Sequence, residues 1–412
     1  MRTDQLIAAT LPGARPPGWL RPDPDSPDTL DGLFASTARR APRAIAVRGP
    51  DTRLGYAAVD TKAGQLATLL LHRQVQLGEP VIVHCSDHPQ SLLAQLAVLR
   101  VGGVCVPVPA HADPAEITAA AEISGASTVL CSRAQLRHWR DRYDALALDD
   151  AEVWRLMSMQ RVDRALPLSS PHGAAYLLVS VRNGEPCGEL IDHRAWLLAL
   201  AARTRFAGPA SSQVLLSLPP QDRIALSAMW WAFAGGGTLY LPPPGSARHR
   251  PLPAPRAVAV LASEEYERAL PTLPVRPRTV ILLGGPVPRP LAAHHFALLP
   301  TTRLVHEFAP AGSVLPWTVT EFPADGRTPS GYLGAPSPGV RVRALDADGR
   351  PLPPGTAGEL RADGAALPFE TIRRVRASTG YPFRPAVEAA PDRGPHGRLL
   401  RDGAVELTTA LG

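Results

Sequence analysis

The chain has 412 residues, 45% of them apolar, and a formal net charge of +6. That length and apolar share suit a protein with a large core divided into two or three subdomains, and they exclude a disordered or fibrous chain. The charge comes from arginines that read as scattered over a solvated surface, without the clustered basic run of a nucleic-acid footprint.

Residues 1–28 are Pro-rich and read as an irregular leader. Residues 29–46 set Leu30, Leu33, Phe34 and Ala38 at helical spacing, which predicts an amphipathic helix. From there to about residue 150, helical patterns alternate with unbroken apolar runs such as VIVHC and STVLC. Runs of that kind suit parallel strands covered on both faces. Residues 151–325 repeat the style with TLYL and TVILL. From residue 329 onward the pattern shortens to alternating strands and turns, and Asp348-Gly349 marks a hairpin. The expected organisation is therefore a leader over 1–28, an α/β core of two subdomains over 29–328, and a small β subdomain over 329–412. Within the last, residues 365–398, rich in Pro and Arg, are expected to be the least ordered.

The four cysteines, Cys85, Cys105, Cys131 and Cys187, show neither C-x-x-C nor histidines at zinc spacing. The first three lie in apolar runs and read as core thiols, so no metal is expected. The N-terminus lacks the apolar core of a signal peptide. An uncharged window, residues 224–241, is long enough to span a bilayer. Gly235-Gly236-Gly237 and Pro242-Pro243-Pro244 break it, and a buried helix followed by a strand is the better reading. Thiols without an export signal point to the cytoplasm, with no membrane and no nucleic acid among the partners.

Residues 176–195, YLLVSVRNGEPCGELIDHRA, carry the most information. Tyr176-Leu177-Leu178, then Gly184, Pro186 and Gly188, then His193-Arg194, resemble the frame of the phosphate loop in adenylate-forming enzymes, in particular the adenylation domains of nonribosomal peptide synthetases. There a Thr-Ser-Gly-Ser-Thr-Gly-Lys-Pro-Lys-Gly loop grips ATP. Here its hydroxyl and glycine positions fall at Val179, Ser180, Val181, Arg182 and Asn183, and its two lysines at Glu185 and Cys187. A phosphate loop offers backbone N–H groups, hydroxyls and a cation to a polyanion. Glu185 offers an anion instead, and like charges ~4 Å apart repel by about 1 kcal/mol in water and about 4 at an effective dielectric near 20.

The resemblance covers nearly the whole chain. Leu54-Gly55-Tyr56, residues 99–107 (LRVGGVCVP), Gly284-Gly285 and residues 332–360 are similar to successive scaffold motifs of that family. Its fold would be two stacked α/β subdomains with mostly parallel sheets plus a small β subdomain. The Asn-x-Tyr-Gly-Pro-Thr-Glu motif, which stacks adenine and serves phosphate and Mg²⁺, reads His306-Glu307-Phe308-Ala309-Pro310-Ala311-Gly312. Ala311 and Gly312 offer no oxygen ligand to a hard cation. The ribose-holding Asp has only Asp392, badly placed, as a substitute. The resemblance further implies a C-terminal lid with a catalytic lysine, but the sequence ends at Gly412 and Lys62 is its only lysine.

In amino-acid-activating relatives an Asp pairs with the substrate ammonium. The alignment puts that position at Arg223, with Asp222 one residue earlier and Trp230 following on the same helix. Asp222 would admit an amine; Arg223 would favour a carboxylate or phosphate.

Three functions stay open. One is an ATP-independent pseudo-adenylation domain that needs no cofactor and binds a carrier protein, a tailoring enzyme or a small MbtH-like protein. Another is an enzyme that reuses the acyl or amino-acid pocket without ATP, with Cys187, His193 and His306 as its candidate groups. The third is an adenylating enzyme completed in trans by a separate lid.

Overall fold

The computed structural model describes residues 27–49, 52–86, 88–163, 165–182, 185–208, 213–216, 222–240, 257–273, 276–310, 313–325, 328–329, 331–372 and 394–408. The first part of the chain forms α1 (Leu30–Arg40), β1 (Ile45–Arg48), β2 (Arg53–Gly55), α2 (Tyr56–His72), β3 (Pro80–His84), α3 (His88–Arg100), β4 (Val104–Pro107), α4 (Pro114–Ser124), β5 (Thr128–Cys131), β6 (Asp144–Ala147) and α5 (Ala151–Met159). Next come β7 (Ala174–Arg182), β8 (Glu185–Asp192), α6 (His193–Ala207), β9 (Gln213–Leu216), α7 (Arg223–Ala234), β10 (Thr238–Tyr240), β11 (Val258–Leu261), α8 (Ser263–Ala269), β12 (Thr279–Gly284), α9 (Arg289–Leu298) and β13 (Arg303–Phe308). Strands then dominate: β14 (Thr318–Phe322), β15 (Tyr332–Pro336), β16 (Arg341–Leu345), β17 (Gly358–Asp363), β18 (Glu370–Ile372), β19 (His396–Leu399) and β20 (Val405–Leu407).

Local sequence explains where these elements start. The Thr29 hydroxyl accepts the Gly32 N–H at the head of α1, whose Leu30, Leu33, Phe34 and Ala38 are buried as the spacing predicts. Asp113 and Glu116 close a capping box on α4, Pro114 stands at its first turn, and Gly125 ends it at φ +58°. Strands β3, β4 and β5 are buried at every position, as strands covered on both faces must be. The Asp348-Gly349 turn forms as expected, with Gly349 at φ +79°.

Two sheets result. One has seven strands in the order β18-β8-β7-β4-β3-β5-β6, and the other thirteen in the order β16-β17-β19-β20-β15-β14-β13-β12-β11-β9-β10-β1-β2. Helix α3 lies on β3 and β4, α7 lies on β9, β10 and β11, and α1 touches both helices. The two α/β subdomains therefore stack across a shared helical layer. Phe34 meets Phe233 edge-on at 5.0 Å inside it. Trp230 Nε1 donates to Tyr176 Oη at 2.9 Å, and that hydroxyl donates to Gln95 Oε1 at 2.9 Å, so one buried chain links α7, β7 and α3.

The subdomains are interleaved more than the linear reading expected. Strands β1 and β2 leave the N-terminal half and join β10 in the larger sheet. Strands β7 and β8 extend the first sheet beside β4. On either side of the expected boundary at residue 328, β14 pairs with β15 and β15 with β20, so the larger sheet continues into the C-terminal strands. Residues 370–372, expected in a separate β subdomain, pair with β8 in the first sheet. Hydrogen bonding between distant segments decides these assignments, and it leaves no mark on local periodicity. The window suspected of spanning a membrane divides into α7 and β10, and no described helix is long and apolar enough to cross a bilayer. All four cysteines are buried.

Candidate functional site

The segment that resembles a phosphate loop is a hairpin. Strands β7 and β8 pair in register from Leu177↔Leu190 through Val179↔Gly188, Ser180↔Cys187 and Val181↔Pro186 to Arg182↔Glu185. Only Asn183 and Gly184 stand between the paired ends; these two lie outside the described residues, and of Arg182 only the backbone is described. In an extended strand, successive residues face opposite ways, so neighbouring N–H groups point to opposite edges. A phosphate needs them turned to one concavity. The side chains fit the hairpin: Glu185 is exposed, Cys187 is 4% exposed, and the Ser180 hydroxyl donates along the ladder to the Cys187 carbonyl at 3.5 Å. Asn-Gly between alternating strand residues is a strong hairpin signal, and it was the clue in the sequence to a closed ladder.

Two contacts tie this hairpin to its surroundings. The Arg223 guanidinium, at the start of α7, donates to the Val179 carbonyl on β7. From the loop after β13, Ser313 Oγ donates to Glu189 Oε2 on β8 at 3.1 Å. Asp222 caps α7 by accepting the Ile224 N–H at 2.9 Å, and burial pushes its carboxyl above the usual range. Neither member of the Asp222-Arg223 pair is left to present its charge alone: one is a helix cap and the other a tether.

Trp230, expected to line a substrate pocket, is wholly buried and bound to Tyr176. One turn beyond Arg223 on the same face of α7, Ser227 Oγ accepts from Arg203 Nη2 at 2.9 Å. That arginine also grips Glu307 of β13 with two bonds, Nε to Oε1 at 2.8 Å and Nη2 to Oε2 at 2.5 Å. Both partners are almost fully enclosed, at 4% and 3% side-chain exposure. Residues 104 apart in sequence thus fill the space where α6, α7 and β13 converge, and nothing local in the sequence announced the pair.

The candidate histidines are committed elsewhere. His193, first residue of α6, accepts the Leu30 N–H at 3.1 Å through Nδ1 and so caps α1. Burial lowers its acid–base range to about 3. His306 donates from Nε2 to the Gly285 carbonyl at 2.9 Å, and burial lowers it to about 4. That carbonyl is presented by the turn after β12, where Gly284 takes φ +117°, a conformation that strains any side chain. General bases work best with a pKa near the operating pH, and both rings lie well below neutrality. Phe308, where the resemblance implies an adenine-stacking ring, is 3% exposed and packs edge-on against Trp317 at 6.3 Å. Ala311, Gly312 and Asp392 lie outside the described residues. No group of three or more metal-binding side chains occurs among the described residues. Lys62, the only lysine, is half-buried with its ammonium 4.5 Å above the Trp154 ring.

Residues 34–367 match the AMP-binding enzyme family. The chain belongs to that family. It is 29% identical over 400 residues to phosphinothricin tripeptide synthetase PhsC of Streptomyces viridochromogenes, covering 93% of this chain and 35% of that one. Phosphinothricin tripeptide synthetase PhsB of the same organism is 29% identical over 409 residues, covering 93% of this chain and 33% of that one. The chain thus spans about a third of the length of these two synthetases. Among solved structures, the N-terminal subdomain of Klebsiella oxytoca NpsA in complex with 3-hydroxybenzoyl-AMSN superposes with a TM-score of 0.73 at 16% identity, covering 92% of this chain and 99% of that one. The AMPPNP-bound form of the nonribosomal peptide synthetase FmoA3 gives 0.77 at 22% identity, covering 98% and 44%. Likeness at these identities establishes the fold, which is that of adenylation N-terminal subdomains.

Proposed function

We propose that this chain is an adenylation-like protein that does not use ATP and acts by binding another component of a nonribosomal peptide or related biosynthetic assembly. The backbone pairing of β7 with β8 out to Arg182↔Glu185 carries the reading, because it commits to a ladder the amides that a phosphate loop leaves convergent. The carboxylate of Glu185 at a lysine position, the enclosed Phe308 ring, and the loss of oxygen donors at Ala311 and Gly312 support it. Each lost charge-assisted contact weakens binding by about 1.5–3 kcal/mol. Two such losses lower affinity by roughly two to four orders of magnitude.

The similarity to peptide synthetases favours a carrier protein as the partner, ahead of a tailoring enzyme or an MbtH-like protein; one fold neighbour is an artificially fused adenylation–PCP di-domain of NpsA and ThdA. A small acyl or amino-acid ligand has less support, since Trp230, Phe308 and the Arg203–Glu307 pair are all enclosed in the fold. Reuse of the pocket for other chemistry is not favoured, because His193 and His306 already serve backbone groups. ATP–pyrophosphate exchange with a panel of carboxylic and amino acids, run alone and with a lid domain added in trans, tests the proposal. It predicts background exchange in both arms. Exchange that appears only with the added lid would establish a split adenylating enzyme instead.

A further inference from the structure

One segment departs from the scattered distribution expected for the positive charge. Between β5 and β6, residues 133–142 hold Arg133, Arg137, His138, Arg140 and Arg142, all exposed, against a single acid, Asp141. The backbone there folds into consecutive tight turns. His138 N–H donates to the Gln135 carbonyl at 3.0 Å, Arg140 to Leu136 at 3.0 Å, and Arg142 to Trp139 at 3.2 Å. Trp139 pins the segment to the sheet. It is 1% exposed, its Nε1 donates to His84 Nδ1 at 3.1 Å, and its ring stands edge-on to Tyr143 at 5.3 Å. His84 is the last residue of β3, so the middle of the basic segment sits at the carboxyl edge of the first sheet. Strand β7, parallel to β4, delivers the closed hairpin to that same edge.

The charges are unequally engaged. Arg133 is held by Asp150 at 2.6 Å, and Arg140 reaches only its neighbour Asp141 at 3.6 Å. Among the described residues, Arg137 and Arg142 form no ion pair with a carboxylate. Arg137 Nε donates to His138 Nε2 at 3.3 Å, which leaves its two terminal nitrogens without a carboxylate. A hydrogen-bonded turn that displays guanidinium groups free of carboxylates suits planar anions, which arginine grips with two parallel bonds. Base stacking is not provided for, since Trp139 is inside the fold and Tyr143 is partly covered. Single-stranded nucleic acid is bound on exposed aromatic platforms, so a carboxylate-rich partner fits better.

We propose that Arg137, Arg140 and Arg142 form the docking surface for an acidic protein partner at the carboxyl edge of the first sheet. This rests on the binding-protein reading for the existence of a partner. The two fail separately, because ATP binding would sink that reading and leave the docking result untouched.

The test uses the full chain and fluorescently labelled poly-L-glutamate, titrated at low and moderate salt beside an oligothymidylate of equal charge. The triple variant R137A/R140A/R142A is expected to weaken poly-L-glutamate binding about tenfold or more. A control that removes equal exposed charge elsewhere, R39A/R43A/R53A, is expected to weaken it less than about threefold. Both variants should keep the parent's unfolding midpoint, since none of the six side chains is buried. Equal losses from the two variants would reduce the segment to bulk surface charge and overturn the proposal. Tighter oligothymidylate binding that the triple variant abolishes would overturn it in favour of nucleic acid.

Discussion

Among the described residues, Arg203 and Glu307 form the most deeply enclosed ion pair. Their bidentate contact lies where desolvation is nearly complete, so each charge depends on the other. Removing one partner of such a pair costs about 3–5 kcal/mol, while replacing both with apolar groups of similar volume is often neutral. Arg203→Ala is therefore expected to lower unfolding stability by about that amount in urea titrations, and R203M/E307L to recover most of it. Equal losses in the single and double variants would show that packing, not charge, holds this junction. The buried histidines give a second expectation. His84, His193 and His306 are depressed to about 4, 3 and 4 by burial, from an unfolded value near 6.5. The unfolded chain thus binds more protons below pH 6.5, so their contribution is complete above that value and is lost as pH falls toward 4 and 3. Asp31 and Asp222, raised by burial, act with the opposite sign. Replacing His306 with Asn should then make the fall in stability from pH 7 to pH 5 shallower than in the parent chain. An unchanged slope would mean that His306 does not titrate on unfolding.

At the scale of elements, the β7–β8 hairpin is held from both sides, by Arg223 on one strand and Ser313 on the other. A charge-assisted bond to a backbone carbonyl contributes about 1.5–3 kcal/mol. Arg223→Ala should accelerate amide hydrogen exchange near the end of β7 while leaving β3 and β5 protected, and a uniform change would show that Arg223 supports the whole subdomain. Much at this scale was legible beforehand. Leu30, Leu33, Phe34 and Ala38 gave α1 because a helical stripe is a local pattern, and the apolar runs gave β3 and β5 for the same reason. Sheet membership was not legible. Val47 pairs with Leu239, and such long-range registers are set by tertiary packing alone. The candidate site was readable as a set of positions, but not as contacts. Substitutions at Glu185 and Gly312 were visible, whereas the closed ladder, the His193 cap on α1 and the Arg203–Glu307 pair had to come from geometry.

Across the whole molecule, the fold is that of an AMP-binding core, and the proposal is that the places which would receive a nucleotide serve internal contacts instead. Stacking of the two subdomains runs through α1, Tyr176 and Trp230, contacts that need no bound nucleotide. Isothermal titration calorimetry of the full chain with ATP and Mg²⁺ reads that claim most directly, because it needs neither a substrate nor a partner. No saturable heat is predicted at ATP concentrations up to about 1 mM, with AMP likewise silent. A saturable isotherm with a micromolar dissociation constant would contradict the account, since it would require the hairpin at residues 179–188 to open and turn its amides toward phosphate.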